Sequence, residues 1–94
     1  MMKKTQKKVR YSLIALGEKL IAVLTELEPD AETPFFAHRG EELKYILEGE
    51  IECISGTCKM RLKNGDVVLH KPGEKHKVKN IGKGVAKYIA VASL

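Results

Sequence analysis

An all-β fold is what this sequence predicts: a small antiparallel barrel or jelly roll built as one domain. Three observations carry the prediction. The apolar stretches run only about four to eight residues, and Gly, Pro, Asn and Asp divide them at intervals of about 8–12, the spacing of sandwiches and barrels. No strand pattern alternates with helical pattern in the manner of a parallel sheet. A chain of 94 residues has room for one core, which at this size buries only about 60–65% of the unfolded surface.

The elements follow in order. Val9 to Leu16 is rich in β-formers, alternates at Val9, Tyr11 and Leu13, and stops at Gly17-Glu18. Residues 19–27 are equally apolar. Their Leu, Ala, Glu and Lys content favours helix, but the two-residue break before them suits a hairpin and predicts strands on both sides. Further strands are expected at residues 45–47, 50–54 and 58–62, divided by Glu48-Gly49 and Ser55-Gly56. Asn64-Gly65 reads as a two-residue hairpin turn, because both residues tolerate positive φ. Residues 66–70, 76–78 and 85–91 complete the set. Between Tyr11 and Leu27, the residues Leu13, Ile14, Leu16, Leu20, Ile21, Val23 and Leu24 are apolar on both strand faces. Such strands must be covered on both, so a homodimer is expected.

The formal net charge of +5 belongs to the N-terminus. Lys3, Lys4, Lys7, Lys8 and Arg10 hold 5 of the 17 positive charges, and the 12 others balance the 12 acidic residues of 11–94. Residues 1–8 are expected to form a basic arm and residues 9–94 a neutral domain. A nucleic-acid domain concentrates basic residues on one face, so specific nucleic-acid binding is not expected. No stretch approaches the roughly 20 apolar residues of a membrane span. The basic start leads into no apolar signal core, so the expected location is cytoplasmic. Lys exceeds Arg 14 to 3 and Glu exceeds Asp 10 to 2, a leaning shared with heat-adapted proteins.

Cys53 and Cys58 lie too far apart for a metal knuckle. They are expected to be reduced and packed as small hydrophobes, with a cross-strand disulfide as the alternative. No nucleophile–base pair stands out, which argues against acyl transfer.

Two polar segments invite chemistry: residues 38–42 (HRGEE) and residues 76–80 (HKVKN). Imidazole and carboxylate together suit iron, manganese, nickel or zinc. On a straight strand His38 and Glu42 would lie about 13 Å apart at ~3.3 Å per residue, too far for one ion. A sharp turn at Arg39-Gly40-Glu41 brings both inward, with Gly40 as the residue that permits it.

The order of residues in HRGEELKYILEGE and NGDVVLHKPGEKHKVKN closely resembles the two motifs of the cupin superfamily. The first is met by His38, Glu42 and Gly49, and the second by Gly65, Gly73, His76 and Asn80. Between Gly49 and Gly65 lie 15 residues, enough for two short strands. The resemblance covers about residues 30–91. The pattern departs where the leading His of the first motif falls on Phe36, its opening Gly falls on Asp30, and the proline of the second stands at Pro72. The resemblance implies a double-stranded β-helix and a metal held by His38, Glu42 and His76, with Phe36 in place of a fourth ligand. Phe36 and Lys44 are the expected ligand-binding residues, as an apolar wall and a cation facing the cavity. His70 is expected at the surface.

Within the superfamily the chain resembles the small cupin domain that ends helix-turn-helix regulators. The roughly 30 residues before the motif read as strands, so a free-standing module is expected. It would bind a divalent transition metal, a small anionic metabolite, or both. The alternative is a small metalloenzyme of isomerase or oxygenase type using the same two-His, one-Glu set.

Overall fold

The computed structural model describes residues 7–94, so most of the expected basic arm lies outside the described residues. Eight antiparallel strands form: β1 (Val9–Leu16), β2 (Leu20–Leu27), β3 (Glu42–Glu48), β4 (Glu50–Ser55), β5 (Cys58–Lys63), β6 (Val67–His70), β7 (Lys77–Asn80) and β8 (Ala86–Ser93). Residues 19–27 are strand despite their helix-forming content, because pairing on both sides with β1 and β8 outweighs an intrinsic preference of a few tenths of a kcal/mol per residue. The strands make two sheets, ordered β1-β2-β8-β3-β6 and β5-β4-β7. Among the described residues, no helix is long and apolar enough to cross a membrane.

The core lies between the sheets. Leu27, Ile46, Ile51, Val78 and Ala86 are at most 1% exposed, and Cys53, Leu62 and Tyr88 pack with them. At about 25 cal/mol per Å² of apolar surface removed from water, these side chains supply the main favourable term. Asn80 is buried among them and is fully bonded: its amide donates to the Leu27 and Gly84 carbonyls, and its Oδ1 accepts from the Gly82 N–H, all at 2.9 Å. It thereby ties the end of β2 to the loop after β7.

Strand β3 has its polarity reversed. Glu42, Lys44 and Ile46 point inward and are buried, while Leu43, Tyr45 and Leu47 are 37–42% exposed. On the neighbouring β6, Val67 and Leu69 are also exposed. Edge strand β1 is exposed along nearly its whole length, with a bulge between Leu13 and Ala15.

Three local expectations need correction. Asn64-Gly65 does form a tight turn, with the Asp66 N–H bonded to the Lys63 carbonyl, but only Gly65 has positive φ. The turn carries the chain from β5 to β6, which lie in different sheets, so it is not a hairpin. Cys53 faces Met60 and Cys58 faces Ser55 across β4 and β5. Both cysteines are free; Cys53 is buried as expected, whereas Cys58 is exposed. His70 is not at the surface. It is 2% exposed, because β6 turns it inward opposite Glu42 of β3.

Candidate ligand and metal site

The segment before β3 runs antiparallel to the one before and through β7, and backbone bonds zip the two together. Thr33 bonds Val78 through both its N–H and its hydroxyl, Phe36 and His76 exchange N–H···O bonds of 2.8 and 2.9 Å, and the Gly73 N–H donates to the His38 carbonyl at 2.7 Å. This pairing brings Phe36 and His38 beside His76, although nearly forty residues separate them. The turn into β3 depends on Gly40 for a reason other than the expected backbone freedom. Its φ is not positive; instead a Cβ there would stand 1.6 Å from Ser93 Oγ and 3.0 Å from Ser93 Cβ.

Glu42 Oε1 is the hub. It lies 2.7 Å from His76 Nε2, 3.4 Å from His38 Nε2 and 3.3 Å from Lys44 Nζ. His76 and Lys44 are buried and His38 is more open, at the rim. None of these approaches is aligned as a hydrogen bond, so Glu42 Oε1 and Lys44 Nζ are both buried without a hydrogen-bond partner. Burial pushes the Glu42 carboxyl up, but the adjoining His76, Lys44 and His38 outweigh it and hold the pKa down at about 2. Burial lowers the pKa of Lys44, and Glu42 partly restores it.

These groups face a chamber of about 200 Å³. Its walls include Tyr11, Ile21, Val23, Phe36, Val78 and Tyr88. Phe36 stands at the mouth, 41% exposed, with its ring edge-on to Tyr11 at 6.3 Å. The Lys44 ammonium sits 5.8 Å from the Tyr88 ring centre, within cation–π range. Phe36, His38, Glu42, Lys44 and His76 therefore share one cavity.

Behind His76 lies a cluster that the sequence reading did not single out. The His70 ring stacks on His76 with centres 3.8 Å apart and planes 1° from parallel. His70 Nδ1 contacts Glu74 Oε2 at 2.9 Å, and its Nε2 lies 3.7 Å from Cys53 Sγ. Burial lowers the His70 pKa against the pull of Glu74, and burial raises that of the Cys53 thiol. A thiol kept protonated is a poor nucleophile, so this is a packed polar support for His76. The available signal was His70 and Glu74 four residues apart around Pro72-Gly73, a spacing that a tight turn closes.

Two donor sets bear on a metal. Among the described residues, His70, Glu74 and His76 have ligand atoms that all lie within 4.8 Å of one another. The His70 and His76 rings lie in parallel planes with centres 3.8 Å apart, so their in-plane lone pairs do not converge on one ion without ring rotation. Glu42 with His38 and His76 offers the mixed nitrogen and oxygen donors of a divalent site, with Oε1 2.7 and 3.4 Å from the two ring nitrogens. The His38 and His76 rings, however, stand 6.4 Å apart centre to centre, and among the described residues only the His70, Glu74 and His76 set meets the mutual spacing. The donor chemistry suits a divalent ion, but His38 would have to swing toward His76 to share one, and Lys44 competes with a cation for the same carboxylate oxygen.

A model of the cupin domain matches residues 23–92. No curated protein matches the chain. Among solved structures, a cupin superfamily protein from Desulfitobacterium hafniense superposes with a TM-score of 0.85 at 19% identity, covering 99% of this chain and 84% of that one. An RmlC-like cupin from Shewanella frigidimarina gives 0.80 at 22% identity, over 90% and 75%. A predicted oxalate decarboxylase from Thermotoga maritima gives 0.83 at 27% identity, over 92% and 80%. The paired motif segments, the two facing sheets and the family match over most of the chain have one reading: this chain belongs to the cupin family.

Proposed function

We propose that this protein is a binding module whose barrel encloses a small anionic molecule. One observation carries the reading: a Lys44 ammonium that is 2% exposed, has no hydrogen-bond partner and is the one lysine lining a largely apolar chamber. A buried charge is costly unless something pairs with it and bonds it. The neighbouring Glu42 neutralises part of its charge but leaves its N–H groups unmet. An incoming carboxylate or similar anion would complete them, with Phe36 closing the mouth. The predicted oxalate decarboxylase among the structural neighbours carries in its name a ligand of the same charge class.

A second reading, a metal-dependent binder or metalloenzyme, is favoured by the His38, Glu42 and His76 donors around one oxygen. Those three residues would hold an iron, manganese, nickel or zinc ion, which would supply Lewis acidity toward a bound oxygen ligand. Lys44 and Phe36 would orient that ligand and exclude water. The proposed location is cytoplasmic. The proposed assembly is a homodimer covering the outer face of Leu43, Tyr45, Leu47, Val67 and Leu69 on the neighbouring strands β3 and β6, which are 37–57% exposed; an exposed apolar area supports an interface there.

The experiment is a thermal-shift and NMR screen of monocarboxylates, dicarboxylates and inorganic phosphate with EDTA present. Binding that perturbs the resonances of Lys44 and His76 is expected for at least one anion class. Silence toward every anion, with response only after a divalent metal is added, would overturn the anion-binding reading in favour of the metal one.

A further inference from the structure

The chamber holds two unmet polar groups of opposite kind, and together they specify more than an anion. Lys44 Nζ has three donors and no acceptor, whereas the Glu42 carboxylate accepts only. The two atoms are 3.3 Å apart, both are buried, and neither is aligned in a hydrogen bond, although His76 Nε2 also stands 2.7 Å from Oε1. A simple carboxylate would satisfy Lys44 but offer Glu42 Oε1 no donor. A ligand with a hydroxyl on the carbon next to its carboxylate satisfies both. Its carboxylate accepts from Lys44, and its hydroxyl donates to Glu42 Oε1. Oxygens on adjacent carbons are themselves neighbours, as Nζ and Oε1 are.

The remaining lining sets the rest of the molecule. Ile21, Val23, Phe36, Val78 and Ala90 form a wall without charge, suited to a short branched tail. The volume of about 200 Å³ lies below the usual 300–1,000 Å³ of drug-sized pockets. A second carboxylate or a phosphate dianion would find no second lysine among the lining residues. Resting on the reading that the barrel binds a small anion, we infer that its ligand class is a compact aliphatic 2-hydroxy acid. The Lys44–Glu42 pair holds it through adjacent carboxylate and hydroxyl groups, without a metal.

Calorimetry on the full chain in EDTA tests this with a series of probes. The probe is 2-hydroxy-3-methylbutanoate. The comparators are 3-methylbutanoate (without the hydroxyl), 3-methylbutane-1,2-diol (without the carboxylate) and inorganic phosphate. The hydroxy acid is expected to bind at least about tenfold more tightly than each comparator. Lys44→Met should weaken it by about tenfold or more, and Glu42→Met should abolish its advantage over 3-methylbutanoate. The series on unmodified protein stands even where a variant fails to fold. Equal affinity for 3-methylbutanoate and the hydroxy acid would overturn the role of the hydroxyl. Tighter binding of phosphate, or hydroxy-acid binding that appears only with added metal, would overturn the ligand class and leave the anion-binding reading intact. No binding by any of the anions would overturn both.

Discussion

Lys44→Met should convert a poor metal site into a good one. In the native chain the ammonium lies 3.3 Å from Glu42 Oε1. An ion bonded to that oxygen at about 2.1 Å and set at right angles to the lysine would stand roughly 4 Å from Nζ. Unit charges at that distance interact by about 4 kcal/mol at an effective dielectric of 20, and a divalent ion doubles this to about 8. The lysine can escape by losing its proton. From the ordinary pKa of 10.5, that costs about 4 kcal/mol at pH ~7.5, and less here because burial already favours the neutral amine. The cheaper route sets the penalty, so removing the amine should tighten metal binding on the order of 10²-fold. Methionine preserves the length and apolar stem of lysine. Calorimetric titration of untagged protein with Zn²⁺ or Ni²⁺ measures the gain, and Glu42→Gln in the Lys44→Met background should erase it. Affinities agreeing within about threefold between the native chain and Lys44→Met would refute the argument that the ammonium and the ion compete.

Acid should weaken the fold through Glu42. Its carboxyl titrates at about 2 when folded against an ordinary 4.5, so its contribution of about 3 kcal/mol is present above pH ~4.5 and drains away as pH falls toward 2. Denaturant midpoints measured between pH 5 and 3 should fall less steeply in Glu42→Gln than in the native chain. Asn80→Ala removes three hydrogen bonds at a wholly buried position and should cost about 2–4 kcal/mol by chemical denaturation. Gly40→Ala places a methyl 3.0 Å from Ser93 Cβ; because Ser93 Oγ can rotate away, the expected loss is about 1 kcal/mol, or ~4–8 °C in Tm, and Ser93→Gly should recover part of it. Light scattering should give twice the chain mass of 10.5 kDa, and Tyr45→Lys with Leu69→Lys should shift it toward one copy.

Much of the fold was legible because strands separated by glycine turns leave a local signature, and all eight were anticipated within a few residues. The convergence of His38, Glu42 and His76 was legible only through motif order, since no local rule relates residues 38 and 76. What escaped was long-range. Gly40 looked like a flexibility requirement, but its constraint is a close approach by Ser93, more than fifty residues away. His70 looked like a solvated strand end, and only its cross-strand placement opposite Glu42 buries it. The Asn64-Gly65 turn was visible, but which strands it separates is a matter of sheet assignment that turn chemistry does not encode.

The reversed polarity of β3 has a consequence for how the chain finds its structure. A slip of one residue would turn Leu43, Tyr45 and Leu47 into the barrel and release Glu42, Lys44 and Ile46 to water, since alternate strand residues face opposite ways. Judged by local burial alone, that arrangement is the better one. The native alignment holds because β6 and β8 flank the strand on both sides and an irregularity between Ile46 and Glu48 locks its end. A folding chain is therefore expected to meet a competitor with a more apolar interior and no polar chamber, the kind of conflict between local and global preference that slows a search. The polar interior proposed to receive a ligand is the same feature that is expected to make correct assembly the harder of two routes.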